Sequence, residues 1–339
     1  MSNKLAISLV TNNAEKYLPF CLTSVFNQTY KDFTLLIIDN GSSDRTVKYL
    51  QENYPQLKMV AHQENLGFAQ AHNQAISWSE SEYLMMLNQD IILEPDYLEQ
   101  AVKYLDNQPA AAVASGKILI WDFADNQRTK IIDSLGLKVF KNHRVVNIKE
   151  GETDLGEDNE IKEIFGVSGA APIFRRSSLE RVKIKLSSFK HEEYLDEDFF
   201  SYKEDVDLAW RLRLAGYQAV YLPKCVAYHD RSVRRVKDLS DSAARVYRQE
   251  KNKLVKVYSY KNHFLLLFKN EFFKNLIKYF PPLAWYEFKK FAFILLVEPT
   301  SWQSFKMIKQ QWRKNWLKRK YIIKNIRKIT AEELAKWYE

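Results

Sequence analysis

The chain has 339 residues, 46% of them hydrophobic and 14% aromatic, with a formal net charge of +9, so it is long enough to bury a large core and to divide into two units. Its two cysteines, Cys21 and Cys225, stand far apart, which excludes a disulfide framework and a CxxC metal site and fits a reducing compartment. The charge is uneven: residues 1–230 hold 25 Lys and Arg against 33 Asp and Glu, net −8, whereas residues 231–339 hold 26 against 9, net +17. That asymmetry predicts a neutral-to-acidic unit over 1–230 and a basic unit over 231–339 with an anionic partner of its own.

Met1 to Leu9 carries one Lys and then enters a strand-like run, so no signal peptide is expected. Leu5 to Val10 reads as a buried strand ending at Thr11-Asn12-Asn13, and Leu18, Leu22, Val25 and Phe26 follow at helical spacing. A second strand, Phe33 to Ile38, ends in Asp39-Asn40-Gly41-Ser42-Ser43-Asp44 before a helix over Thr46 to Tyr54, with Ser43 as its predicted N-cap. A third, Leu57 to Ala61, leads through Asn65-Leu66-Gly67-Phe68 into a helix ending near Trp78. The fourth, Tyr83 to Leu87, is apolar without alternation, as a strand covered on both faces should be, and breaks into Asn88-Gln89-Asp90. Four strand–helix alternations with short connections predict an α/β fold with a mostly parallel sheet.

The second half of this unit is less regular. Ala110 to Ser115 reads as a strand, Lys117 to Ile148 as hairpin-like segments, and the acidic stretch Gly151 to Glu163 as a loop. Small residues in Ser168-Gly169-Ala170-Ala171 allow close backbone approach. A helix is expected over Phe199 to Leu214 and a strand from Gln218 to Leu222, with Ala227-Tyr228-His229 closing the unit. Beyond it, Phe272, Phe273, Leu276, Ile277 and Phe280 continue a helical pattern to Pro281-Pro282, and Phe291 to Val297 is seven apolar residues, far below the roughly 20 that span a bilayer. Trp302, Phe305, Ile308, Trp312 and Trp316 share one helix face flanked by Lys and Arg, the composition of a helix lying in an anionic membrane interface. Basic residues among aromatics also suit nucleic acid, but the Phe264–Phe268 run fits a lipid boundary better, and no nucleic acid is expected.

Chemistry gathers at the strand ends. Thr11, Asp39, Gly67 and Asp90 all fall at or just past the carboxyl end of a predicted strand, where a ligand of an open α/β sheet binds. Asp39 can accept from the imide N–H of uracil or thymine, although Asp-Asn-Gly-Ser is also ordinary turn chemistry. Asp90 can hold a hard divalent cation and, through it, a substrate's phosphates. Ser42 contacts a ribose or fixes its loop, and Asn73 faces the ligand or bonds backbone within its helix. Glu204, Asp207 and Arg211 lie on one helix face, with Asp205 near the N-terminus where the dipole favours a carboxylate; it is a general-base candidate or an acidic cap paired to Arg211. His229 is a second metal-ligand candidate, or a structural histidine.

The segments ISLVTNN, LLIIDNGSSDRT, NLGFAQAHNQAI, LMMLNQD, GVSGAAPIFRR and FSYKEDVDLAWRLRLAGY, in this order, resemble the inverting glycosyltransferase family 2 with the GT-A fold, especially its rhamnosyltransferase-like members. The likeness covers residues 4 to about 230. It implies that Asp39 binds the nucleotide base, with Thr11, Asn13, Ser42, Asn65, Gly67, Asn73 and Asn88 around the donor. It further implies that Asp90 is the metal-binding carboxylate of a DxD-type motif, that Asp205 is the general base supported by Glu204 and Arg211, and that His229 completes a site for Mg2+ or Mn2+. Asn88 stands where that motif has its first Asp, which weakens cation binding and places more of it on Asp90. The implied activity is transfer of a sugar, L-rhamnose from dTDP-rhamnose or, alternatively, a hexose or N-acetylhexosamine from a UDP-sugar, onto a lipid-linked glycan of a cell-surface polysaccharide, by a cytoplasmic protein held on the inner membrane face by anionic lipids. The rival reading is a non-catalytic nucleotide-sugar-binding scaffold, against which the retention of Asp90 and Asp205 together argues.

Overall fold

A computed structural model describes residues 3–230 and 253–339; the junction at 230/231 and the first part of the basic region, 231–252, lie outside the described residues. The first half alternates as its spacing predicts: β1 (Leu5–Thr11), α1 (Leu18–Phe26), β2 (Phe33–Asp39), α2 (Thr46–Asn53), β3 (Lys58–Ala61), α3 (Phe68–Ser77) and β4 (Tyr83–Asn88). β1 pairs in parallel with β2 and β4, and β2 with β3, so the four strands end at one edge. Helices on both faces explain the unbroken apolar runs: Leu5, Ile7, Leu9, Met85 and Leu87 are buried in one cluster, and Ala6, Leu84 and Met86 in the other.

The remainder comprises β5 (Ile91–Leu93), α4 (Tyr97–Asn107), β6 (Ala111–Asp122), β7 (Gln127–Ser134), β8 (Leu137–Val139), β9 (Val145–Asn147), β10 (Lys162–Ile164), β11 (Ile173–Arg175), α5 (Arg176–Val182), α6 (Glu204–Leu214) and β12 (Gln218–His229). The strand order is β10-β12-β6-β11-β4-β1-β2-β3, with β11 antiparallel between β4 and β6 and β12 parallel to β6. The sheet is therefore mixed but mostly parallel and flanked by helices, the expected α/β class. Strands β6 and β12 run well past their expected ends at Ser115 and Leu222. They pass each other closely because residue 116 is glycine: a Cβ there would lie 1.9 Å from the Cys225 carbonyl oxygen. Ser43 does not cap α2, since its hydroxyl donates to Asn13 Oδ1 at 3.2 Å; Asp44 accepts from the Thr46 amide at 3.0 Å instead. Helix α6 starts at Glu204 rather than near Phe199, because Phe200, Tyr202 and Lys203 adopt left-handed φ of 63°, 71° and 69°.

The C-terminal segment folds as α7 (Lys253–Asn270), α8 (Phe273–Lys278), α9 (Phe280–Val297), α10 (Gln303–Tyr321) and α11 (Ala331–Ala335). Pro281 and Pro282 begin α9 rather than ending a helix, as suits residues whose missing N–H would be unpaired in a first turn. The centre of the Phe264–Phe268 run is core rather than lipid boundary: Leu265, Leu266 and Leu267 are buried with Trp210, Leu212 and Leu214 of α6, beside Ile322, Ile326, Leu334 and Tyr338, whereas Phe264 is exposed. The face of α10 turned inward is polar, with Ser304, Asn315 and Lys318 fully buried, while Trp302, Trp312 and Trp316 remain exposed. Among the described residues no helix is long and apolar enough to cross a membrane.

Candidate active site

At the end of β2, Asp39 is buried and orders its own loop. Its Oδ1 accepts from the hydroxyls of Thr11 (3.0 Å) and Ser42 (2.5 Å), and Oδ2 accepts from the Ser42 amide (3.0 Å). A carboxylate has about four acceptor positions, so three protein donors leave room for the imide N–H of a base. Ser42 fixes the loop: its hydroxyl also accepts from the amide of Asn13, whose Oδ1 in turn accepts from the Ser43 amide at 2.8 Å. Asn65 Oδ1 accepts from Asn40 Nδ2 and from the Gly67 amide, at 3.0 and 2.8 Å. Gly67 has φ of 88°, and a Cβ on it would lie 2.6 Å from the Phe200 ring, so only glycine suits this start of α3. Asn73 makes a different bracket from the one expected: its amide exchanges two hydrogen bonds with the backbone of Leu195 and donates to Glu197, holding the segment before α6.

One strand away, Gln89 joins β4 to β1 by accepting from the Asn12 amide (2.7 Å) and donating to its carbonyl (3.1 Å). Asp90 follows, partly exposed, with its Oδ1 3.3 Å from His229 Nε2, and the other ring nitrogen of His229 lies 2.8 Å from Asp133 Oδ2. Burial alone would lower the His229 imidazole, but the Asp90 and Asp133 carboxylates overcome it and raise it to about 10, so at neutral pH without a metal the ring is an imidazolium that donates one N–H to each acid, and a cation at Asp90 would displace the Nε2 proton. A metal-ligating histidine characteristically gives its second nitrogen to a carboxylate, as His229 gives Nδ1 to Asp133. Two residues before Asp90 in the chain, the Asn88 side-chain oxygen is buried without a hydrogen-bond partner. Aspartate, imidazole and an unpaired amide oxygen fit a hard divalent cation. Among the described residues no three His, Cys, Asp or Glu converge as a closed metal cage would, so the other ligands would have to come from the substrate.

The segment 168–171 links this edge to α6. Asn88 donates its amide to the Ala170 carbonyl at 2.9 Å, and the Gly169 amide donates to Asp205 Oδ2 at 3.1 Å. Asp205 Oδ1 accepts from the Val206 amide at 2.7 Å. Burial raises the Asp205 carboxyl, and the two amides and the nearby Lys203 ammonium offset this only in part, so the group is more basic than an ordinary aspartate. Glu204 is buried with one carboxylate oxygen unpartnered, and burial beside Asp205 and Asp207 pushes its carboxyl well above the usual range. Arg211 pairs with Asp207 at 2.9 Å rather than with Asp205, and its other nitrogens donate to the Val182 and Tyr194 carbonyls at 2.6 Å, so it braces α6 from the interior.

The glycosyl transferase family 2 model matches residues 7–183, more than half of the chain. The chain belongs to that family. It is 24% identical over 234 residues to the glycosyltransferase GlyA of Streptococcus pneumoniae serotype 4, covering 66% of this chain and 33% of that protein. To the poly-beta-1,6-N-acetyl-D-glucosamine synthase of Staphylococcus epidermidis it is 24% identical over 227 residues, covering 66% and 49%. The chain thus spans half or less of the length of these curated relatives. The crystal structure of GalNAc-T7 with UDP, GalNAc and Mn2+ is similar in fold, with a TM-score of 0.59 at 12% identity, covering 99% of this chain and 58% of that one.

Several residues of this candidate site carry no sequence signal. Asp133 sits in β7, whose exposed start (Gln127, Arg128) does not announce a partner for His229. Tyr17, which donates to Asp230 at 2.7 Å, reads as an ordinary aromatic before α1. Gln89 and Asn12 were legible only as polar strand ends.

Proposed function

We propose that this protein is an inverting glycosyltransferase that moves a sugar from a nucleoside diphosphate donor to a glycan hydroxyl. The observation that carries this reading is the Asp205 carboxylate, raised by burial, aimed by two backbone amides, and joined through residues 168–171 to the strand edge that holds Asp39 and Asp90. Asp39 takes the imide of a uracil or thymine base, with Thr11, Asn13, Ser42, Asn65 and Gly67 shaping its loop. Asp90 and His229, with Asn88 two residues before Asp90 in the chain, would hold Mg2+ or Mn2+, which when bound would neutralise the diphosphate leaving group. Asp205 accepts the proton of the acceptor hydroxyl as that oxygen bonds to the anomeric carbon and the carbon–phosphate oxygen bond breaks, inverting the centre. L-rhamnose from dTDP-rhamnose is the proposed donor sugar, and a lipid-linked glycan in cell-surface polysaccharide synthesis the proposed acceptor.

A cytoplasmic protein resting on the inner membrane face is part of the same reading. Phe273, Ile277, Phe280, Trp285, Phe288 and Leu296 are all exposed on α8 and α9, as are Trp312 and Trp316 on the lysine-rich α10. So many exposed apolar side chains on a basic region suit an anionic lipid boundary. The test is a panel of dTDP-, UDP- and GDP-sugars with and without Mg2+ or Mn2+, read by thermal shift and product formation, on the native chain and Asp205→Asn. A ligand at a hundredfold excess over Kd adds about 2.7 kcal/mol of stability. Donor-dependent stabilisation with turnover lost only in Asp205→Asn supports the reading. Stabilisation by UDP-sugars alone replaces the rhamnose donor, and binding without turnover in either protein favours the scaffold.

A further inference from the structure

Residues 196–203, immediately before the base, form a loop that the catalytic half does not hold by itself. Three of its residues, Phe200, Tyr202 and Lys203, are left-handed, a conformation that costs any side chain bearing a Cβ and persists only where surroundings over-determine it. The surroundings that do so belong to α7. The side-chain amide of Asn262, wholly buried, donates to the carbonyls of Phe199 (2.9 Å), Ser201 (2.9 Å) and Tyr202 (2.7 Å). Its orientation is fixed by those acceptors, since its own oxygen has no hydrogen-bond partner. The neighbouring Lys261 donates to the Asp198 carbonyl, and the Phe200 ring stacks on Tyr258 of α7 at 5.2 Å. On its other side the loop touches the donor edge, where the Ala69 amide donates to the Phe200 carbonyl and Phe200 fills the space left by Gly67. Lys203, the last left-handed residue, accepts at its carbonyl from the Asp207 amide at 2.9 Å and so sets where α6 begins, two residues before Asp205.

We propose that Asn262 is a positioning residue for transfer: by holding the Phe199, Ser201 and Tyr202 carbonyls it keeps the left-handed loop wound, and thereby fixes Asp205 against the Gly169 amide. This rests on Asp205 being the general base. An amide is the suited side chain, because it presents two N–H groups from one nitrogen to a cluster of carbonyls and adds no charge. Without it the three carbonyls lose their donor, the loop relaxes towards right-handed φ, and the first turn of α6 shifts. A displacement of about 1 Å at a catalytic group can cost on the order of a hundredfold in rate.

The experiment measures kcat and KM for the donor, with donor binding by thermal shift, in the full chain carrying Asn262→Ala, Asn262→Ser, Asp205→Asn, or Asn262→Ala with Tyr202→Gly. Tyr202 is 43% exposed, and glycine adopts left-handed φ without penalty. Expected for Asn262→Ala is a fall in kcat of about ten- to a hundredfold with donor KM and donor thermal shift within about twofold of the native chain. Asn262→Ser, keeping one donor, is expected to lie between, and should Asn262→Ala fail to fold it carries the comparison. Adding Tyr202→Gly recovers several-fold in kcat. The proposal is overturned if Asn262→Ala keeps native kcat, or if kcat, donor affinity and melting temperature fall together and Tyr202→Gly recovers nothing. Full activity in Asp205→Asn overturns the base reading itself, whereas an inactive Asp205→Asn beside a fully active Asn262→Ala removes only the positioning role.

Discussion

Lys318→Met tests the ionic cluster through which the C-terminal helices grip the catalytic half. Lys318 is fully buried and meets Glu193 at 2.7 Å, Asp198 at 2.7 Å and Asp196 still closer. Removing one partner of a buried pair costs about 3–5 kcal/mol, because the other charge stays buried and uncompensated. Here the lower end applies: Asp196 retains Lys269, Asp198 retains Lys314 at 2.7 Å, and Glu193, whose carboxyl burial already raises, can take up a proton. Methionine keeps the apolar stem, so packing changes little. A loss of about 3 kcal/mol should lower the melting temperature by about 4 °C in a chain of 339 residues, followed by circular dichroism. The pH dependence has a definite sign. Burial opposes ionisation of Asp196, but Lys269 and Lys318 overcome it and hold its carboxyl far below the ordinary range. The native stabilisation is therefore complete above the unfolded aspartate pKa of about 3.9 and is lost as pH falls towards the folded value. Lys318 is raised by the same partners despite burial, so its share is present below about pH 10.4 and is lost only at higher pH. Because protonation of Glu193 relieves the variant as pH falls, the gap between variant and native chain should be widest above neutrality and narrow progressively towards acid. A melting temperature unchanged at pH 7 would refute the reasoning, showing the cluster to be energetically neutral.

Glu204→Gln should stabilise the protein at pH 7–8 by on the order of 1 kcal/mol. The buried Glu204 carboxyl is raised, so its ionisation subtracts stability as pH rises through the unfolded value, and the advantage of glutamine should shrink on acidification; equal melting temperatures at all pH values would contradict this. Gly67→Ala should weaken nucleotide-sugar binding and destabilise the fold together, since its Cβ would strike Phe200 and its φ is left-handed; a donor thermal shift and melting point equal to native would refute it. Paired Trp285→Ala and Phe288→Ala replacements, at exposed positions on α9, should release the full chain from anionic vesicles in flotation without altering its melting temperature, and undiminished flotation would count against that face.

The parallel core was legible because β1, β2 and β4 are short apolar runs buried on both faces, and their polar ends follow from the edge at which parallel strands finish. Asp39, Asp90 and Asp205 were readable as carboxylates at such ends or at a helix start. What surrounds them was not. Asp133 reaches His229 from 96 residues away, and Asn262 reaches the 199–202 carbonyls from about 60, contacts set by tertiary packing with no local spacing to betray them. Arg211 does share a helix face with Glu204 and Asp207, but that face is packed into the interior, where Arg211 pairs with Asp207, and Asn73 is likewise buried against the Leu195 backbone.

Helix α10 explains why charge asymmetry described the C-terminal region incompletely. Amphipathic reasoning gives a helix two faces, apolar and polar, and assigns the apolar one to burial. Here Lys318 and Asn315 face inward, because the segment opposite supplies Glu193, Asp196 and Asp198, whereas Trp312 and Trp316 face outward. The 196–198 carboxylates and the basic helices are thus two halves of one electrostatic contact, although each alone reads as a solvated charged stretch. It follows that removing the chain beyond about residue 260 would strip Asp196 of both its lysines and the 199–202 carbonyls of Asn262 as well as deleting the exposed apolar surface. Loss of vesicle binding in such a truncation would therefore report unfolding and lipid contact alike, and only substitutions at the outward positions separate the two.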